Sequence, residues 1–148
     1  MSLGNILSVT DISASGMAAE RLRMEVVANN IANSRSTRTL EGGPFRRQQV
    51  IFSTAFDNAF GLAFPNADQL HGVQVIGIEA DESELPRIYQ PGHPDSDGDG
   101  FVTMPNVQLP NEMVDLITAS RAYEANLKVL RTFREMTEQA LSLLRAIA

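Results

Sequence analysis

The sequence has no cysteine and no tryptophan. Without cysteine there are no disulfides, no zinc–thiolate centres and no cysteine nucleophile, and the redox compartment stays open. Histidine is nearly absent too: His71 and His93 are the only imidazoles, and both fall in loop-like stretches. No Gly-x-Ser-x-Gly elbow, Walker loop, dinucleotide fingerprint or His-Glu-x-x-His pair occurs. No enzyme active site is expected, and no cofactor. Lysine is reduced to Lys128, against eleven arginines. Arginine makes bidentate pairs with carboxylates that lysine cannot reproduce, which suits interfaces. The formal net charge of −6 argues against a nucleic-acid partner. No window approaches the roughly 18 apolar residues of a membrane span, so no membrane insertion is expected. A secretory signal is also missing: the first cation is Arg21, and Asp11 interrupts the only candidate apolar run. Composition predicts a soluble protein that is intracellular or is exported without a cleaved signal.

What is present reads as helix, irregular and β middle, then helix, in one domain of 148 residues with 43% apolar content. From about Leu3 to Ala32 there is no proline, and Ile12, Ala19, Leu22 and Val26 recur at helical spacing. The same stripe runs on into Asn29 and Asn33, where it turns polar. Met17, Met24 and Ile31 repeat at seven on a neighbouring face, and Arg21 and Glu25 can pair one turn apart. Gly16 weakens the helix without stopping it. The middle, residues 34–108, holds six of the seven prolines and eight of the ten glycines. Within it, "RRQQVIF" (Arg46 to Phe52) and "GVQVIGIEA" (Gly72 to Ala80) read as strands. In the second, the apolar face switches between Val75 and Ile76, which predicts a bulge or twist near Gly77. "LPRIYQ" and "GFVTM" are weaker strands, and one small sheet is expected.

From Leu109 onward only Pro110 interrupts a helical pattern. Met113, Leu116, Ser120, Tyr123, Leu127, Leu130, Arg134, Thr137, Leu141 and Leu144 alternate three and four apart, a coiled-coil seam. A second seam runs Val129, Phe133, Met136, Ala140, Leu143, Ile147. Such a helix spans about 57 Å, against about 30 Å for a small domain, so its own chain cannot cover all of it. The expected fold is mainly α with a small β middle, its two long amphipathic terminal helices pairing as a coiled-coil-like hairpin. The segments are 1–33 (first helix), 34–108 (β-rich and loop middle) and 109–148 (second helix). The second seam then requires neighbours, or else rests on the β middle in an ordinary hairpin acting as a free-standing binding or adaptor module.

Four motifs carry chemistry. "VANNIANS" (Val27 to Ser34) places Asn29, Asn30 and Asn33 at the end of the first helix. Asparagine favours helix ends, but Asn29 and Asn33 continue the stripe and should face a partner, where carboxamides can fix register. "SRAYEAN" (Ser120 to Asn126) offers an Arg121–Glu124 pair, with Tyr123 and Asn126 on or beside the seam, where either could meet an asparagine cluster. The loop from Ser34 to Gln48 gathers Arg35, Arg38, Arg46 and Arg47: a solvated linker, or an electropositive contact for an acidic neighbour such as another copy. "HPDSDGDGFVTMPN" (His93 to Asn106) alternates Asp95, Asp97 and Asp99 before Gly100, like the opening of a calcium loop. Position twelve of that loop would be Asn106 instead of glutamate, and position eleven is Pro105. A turn between short strands is the better reading, with the carboxylates held by arginine from a neighbouring subunit; Asp95, Asp97 and Asp99 remain weak metal candidates.

"ANNIANS" near the start, with "SRAYEAN" in a long C-terminal helix, resembles the flagellar rod, hook and hook-associated (axial) protein family. "GGPFRRQQVIF", "DGFVTMPNV" and "EMVDLITASRAYEANLKVLRTFREM" are similar to its proximal-rod, FlgC-type branch. The Asn-Thr-x-Gly-Phe-Lys run of hook and distal-rod relatives is absent, and 54–71 matches nothing recognisable. The resemblance implies a structural, non-enzymatic subunit of the bacterial basal-body rod. It implies export unfolded through the flagellar type III apparatus, without a cleaved signal. It implies assembly into a hollow periplasmic drive shaft, with the terminal helices as inner wall and the middle outward. Partners would be further copies, FlgB-, FlgF- and FlgG-type rod proteins and a FliE-type adaptor. The candidate assembly residues are Asn29, Asn30, Ile31, Asn33, Arg46, Arg47, Ser120, Arg121, Tyr123, Glu124, Asn126, Leu127 and Leu130.

Overall fold

A computed structural model describes residues 3–40, 42–54 and 72–147. The 54–71 stretch, apart from Thr54, lies outside the described residues, as do His71 and the side chains of Leu144 and Ile147.

Helix α1 runs Leu3–Ala32 and helix α2 runs Leu109–Ile147, matching the proline-free segments. α1 stops where polar side chains compete for its last carbonyls. Ser34 Oγ donates to Ile31 O at 2.8 Å and Asn33 Nδ2 to Asn29 O at 3.0 Å. α2 starts with Pro110 in its first turn, where no N–H is needed. The helices lie antiparallel: Asn30 touches Glu112, and Gly16 lies against Asn126. A β-carbon at Gly16 would sit 3.0 Å from Asn126 Nδ2, so glycine permits this close approach.

The α2 face turned to α1 differs from the apolar seam. Its least exposed residues recur at Glu112, Leu116, Ala119, Tyr123, Asn126, Leu130, Phe133 and Thr137, spaced four and three. Met113, Arg134 and Leu141 of the expected seam are exposed, Met113 by 57%. Glu112 and Asn126 are polar and Ala119 is small, so apolarity alone selects a register one residue away. The buried apolar set among the described residues is short: Ala19, Val26, Val27, Val102 and Ala119.

The middle forms two ladders. β1 (Gln48–Thr54) pairs antiparallel with β2 (Val73–Ala80), Gln48 opposite Ala80. Ile51 opposes Gly77 and Phe52 opposes Val75, so Ile76 is the extra residue of a bulge next to the expected glycine. β3 (Arg87–Tyr89) pairs with β4 (Phe101–Thr103) in a separate ladder. The expected single sheet is thus two. Pro86 and Pro91 bracket β3 and supply no backbone donors, which keeps it short.

Candidate functional site

β1, α1 and α2 meet at Arg47, just ahead of β1. Its Nε donates to Glu112 Oε1 at 2.6 Å, and its terminal nitrogens approach Asp115 Oδ2 (3.4 Å) and Asp81 Oδ2 (3.8 Å). Its backbone N–H donates to Asn106 Oδ1 at 2.7 Å, and its carbonyl accepts from Asp81 N at 2.7 Å. The Glu112 carboxylate bonded to it raises the guanidinium pKa further, so Arg47 stays charged. Glu112 is 0% exposed. A buried carboxylate is costly unless paired and fully hydrogen-bonded. Its second oxygen accepts from Asn30 Nδ2 at 2.9 Å. Asp115 also takes Arg23 of α1 at 3.5 Å.

Asn30 is equally buried. Its Oδ1 accepts from Gln48 N at 2.9 Å while its Nδ2 donates to Gln48 O at 2.8 Å. One carboxamide therefore pairs with both peptide groups of Gln48, as a neighbouring strand would, and ties the free edge of β1 to α1. Within the chain, Asn29 and Asn33 make no comparable contact. Asn29 is exposed; its Nδ2 donates to Gln48 Oε1 at 3.3 Å and its Oδ1 accepts from Asn33 Nδ2 at 2.9 Å. They close the helix end, and the buried partner is their neighbour.

The other candidates scatter. Arg46 is exposed and donates to the Asp81 and Ser83 carbonyls at 3.2 and 3.3 Å. Arg47 is spent inside the chain, so the expected basic loop is reduced to exposed Arg35, Arg38 and Arg46. Ile31, Ser120, Tyr123, Leu127 and Leu130 are half-buried. Tyr123 lies beside Met17, Arg21 and Leu22, and Asn126 beside Gly16, so neither meets the asparagine cluster. Arg121 and Glu124 are both exposed and form no ion pair with each other. The residue missed by sequence reasoning is Glu112. Its only signal is an acid in the first turn of a helix, which also suits the macrodipole.

The aspartate run does not converge. Asp95 accepts from Thr37 Oγ1 at 2.8 Å. Asp97 is paired with Arg87 of the same chain and accepts the Phe101 and Asp99 amides at 2.8 and 3.1 Å. Those bonds, the Phe101 amide foremost, hold its pKa below the ordinary value. Gly100, with φ of +80°, completes the turn. The arginine that holds Asp97 is thus Arg87 of the same chain, where one from a neighbouring subunit was expected, and among the described residues no three His, Cys, Asp or Glu side chains are placed to hold a metal ion.

The junction ties together the two ends of the chain, and both ends match family models. "Flagella basal body rod protein" matches residues 11–37 and "Flagellar basal body rod FlgEFG protein C-terminal" matches 99–143. The FlgC rod protein of Borreliella burgdorferi is 43% identical over 149 residues, covering 95% of this chain and 98% of its own. The chain belongs to the FlgC family of flagellar basal-body rod proteins. FlgC of Salmonella typhimurium is 38% identical (93% of this chain, 97% of its own), and that of Bacillus subtilis 34% (90% and 94%). As a FlgC-type chain it is a structural rod subunit of the basal body, and rod proteins assemble with other rod components. Among its described residues no helix is long and apolar enough to cross a membrane. Asn30 falls in the first matched segment, Glu112 and Asp115 in the second, and Arg47 between them. The FlgC junction thus locks the two family segments through a residue outside both.

Proposed function

We propose that this chain works as a proximal-rod subunit with no catalytic role: 1–33 and 109–148 form part of the inner wall of a hollow periplasmic shaft, and 34–108 faces outward. One observation carries this reading. Five apolar residues are buried, whereas seventeen large apolar ones are exposed among the described residues, eight of them along α2. A surface of that kind calls for neighbours on several sides, which a helical lattice supplies and a closed dimer does not. Family membership supports further copies, FlgB-, FlgF- and FlgG-type rod proteins and a FliE-type adaptor as those neighbours, and export through the flagellar type III apparatus without a cleaved signal. Within such a shaft the Arg47 junction couples the outer segment to the wall, so torque crosses charge-assisted bonds. Asn30, Arg47 and Glu112 would carry that coupling, with Tyr123, Asn126, Leu127 and Leu130 setting the helix register.

Deletion of the gene, followed by electron microscopy of purified basal bodies, tests the reading. The expected outcome is loss of the rod beyond the membrane ring and loss of swimming. Intact rods in the deletion strain would sink it.

A further inference from the structure

We propose that Asn106 is a wedge in the open end of the β1–β2 ladder, and that this joint has a second, closed state in which the wedge is expelled. Asn106 stands where the calcium-like run would need its glutamate. Its side chain does different work, between the first residues of β1 and the last of β2.

An antiparallel ladder alternates pairs that exchange two backbone hydrogen bonds with pairs that turn theirs outward. Asp81 N donates to Arg47 O at 2.7 Å, so Arg47 and Asp81 are an exchanging pair. Gln48, the next residue, accordingly turns its N–H and C=O outward, where Asn30 meets both. The return bond of the exchanging pair, from Arg47 N to Asp81 O, is replaced by a bridge. Arg47 N donates to Asn106 Oδ1 at 2.7 Å, and Asn106 Nδ2 donates to Asp81 O at 3.0 Å. One carboxamide thus stands between two groups that the ladder aims at each other. Asn106 Nδ2 also donates to Ser83 Oγ at 2.8 Å, which fixes the way the amide points.

Withdrawal of that side chain lets Arg47 N and Asp81 O bond directly, so neither backbone group loses a partner. Asn106 is half-buried and lines a cleft of about 520 Å³ with Ser83, Gln108 and Asn111, which has room for the expelled amide. The tie to the helices survives in both states. Arg47 reaches Glu112 and Asp115 through its guanidinium, and Asn30 keeps Gln48. What moves is the connection that carries Asn106, from Thr103 at the end of β4 to Leu109 at the start of α2. Neither β3 nor β4 packs on a helix or on the first ladder. Their hairpin leans on the 37–44 loop, through the bond from Thr37 to Asp95. Expulsion of Asn106 therefore re-aims the β3–β4 hairpin while the helix pair stays locked to β1. The two states belong to the chain itself, whatever assembly it enters.

Nuclear magnetic resonance on the full, isotope-labelled chain decides it, because scalar couplings across hydrogen bonds identify the paired atoms. The wild-type chain should couple Arg47 N to Asn106 Cγ. Asn106→Ala should couple Arg47 N to the Asp81 carbonyl carbon instead. Relaxation dispersion, which reads exchange in the μs–ms range, should reveal a minor state of the wild-type chain. Its shifts at Arg47 and Asp81 should match those of Asn106→Ala. Should that variant not fold, Asn106→Ser, too short to bridge, supplies the same comparison. Asn106→Asp keeps the acceptor for Arg47 N–H and loses the donor to Asp81 O. It should raise the minor population about fivefold, the worth of one net hydrogen bond. An Arg47 amide that exchanges freely with solvent in the shortened variant overturns the proposal. So does flat dispersion in the wild-type chain, a minor state whose shifts match neither variant, or an unchanged population in Asn106→Asp.

Discussion

Arg47 and Glu112 stand 65 residues apart in sequence and are joined by a 2.6 Å bond from Nε to a carboxylate oxygen. Glu112 is wholly buried and Arg47 one-quarter exposed, so neither can be left unpaired cheaply. Removing one partner of a buried pair costs about 3–5 kcal/mol, whereas replacing both by apolar residues of similar volume is often neutral or better. Arg47→Met should therefore lower stability in urea by about that amount, and Arg47→Met with Glu112→Leu should recover most of it. If the double variant is no more stable than the single one, the pair does not act as a unit.

Asn30 and Asn29 are adjacent in sequence and unequal in consequence. Asn30→Ala strips a partner from buried Glu112, a loss of about 1–3 kcal/mol when unsatisfied, and partners from both part-buried peptide groups of Gln48. Asn29→Ala should stay within about 0.5 kcal/mol, as an exposed surface change. Denaturation midpoints of the two variants decide the order. Equal losses would mean that Asn30 does not tie β1 to α1.

Gly72 connects the sheet to α1. Its φ is +80°, and a β-carbon there would lie 2.3 Å from Ser15 Oγ and 3.2 Å from Ile12 Cα. Ser15 Oγ meanwhile accepts the Val73 amide at 3.1 Å. Gly72→Ala should cost well over the roughly 1 kcal/mol of the backbone conformation alone, because the hydroxyl must also move. Adding Ser15→Ala should return part of the loss and leave the part due to φ. Wild-type stability for Gly72→Ala in thermal unfolding would contradict the contact.

Acid should loosen the two turns held by Asp81 and Asp97. Asp97 and Asp81 both have folded pKa values below the ordinary carboxylate, through the Phe101 amide in the first case and the Ser83 amide and hydroxyl in the second. A depressed folded pKa contributes stability that is complete above the unfolded value, about 3.9, and is lost as pH falls through the folded one. The Phe101 amide resonance should therefore shift with a midpoint below about 3.9, and Asp97→Asn should remove that transition. A midpoint at or above the ordinary value would refute the assignment.

Much of the architecture was legible because it rests on local rules. α1 ends where asparagine and serine dictate, α2 starts at Pro110, and the bulge beside Gly77 follows from the switch of apolar face between Val75 and Ile76. The site was less legible. Met113 looked like the start of the α2 seam, yet the seam starts at Glu112, because a buried carboxylate matched by Arg47 and Asn30 replaces an apolar residue there. Asn29 and Asn33 lay on the extrapolated stripe, and Asn30, one position away, made the contact.

The sequence by itself determined the elements, the absence of thiol chemistry, and the surplus of apolar helix surface that calls for neighbours. Those properties depend on composition and on periods of two and 3.6 residues, which any short window displays. Only the tertiary structure decided which polar residues are buried and which are exposed. Burial of Glu112 and Asn30 and the pairing of Arg47 depend on partners brought together across 18 to 82 positions of chain, and no local pattern records which distant group will meet a given charge.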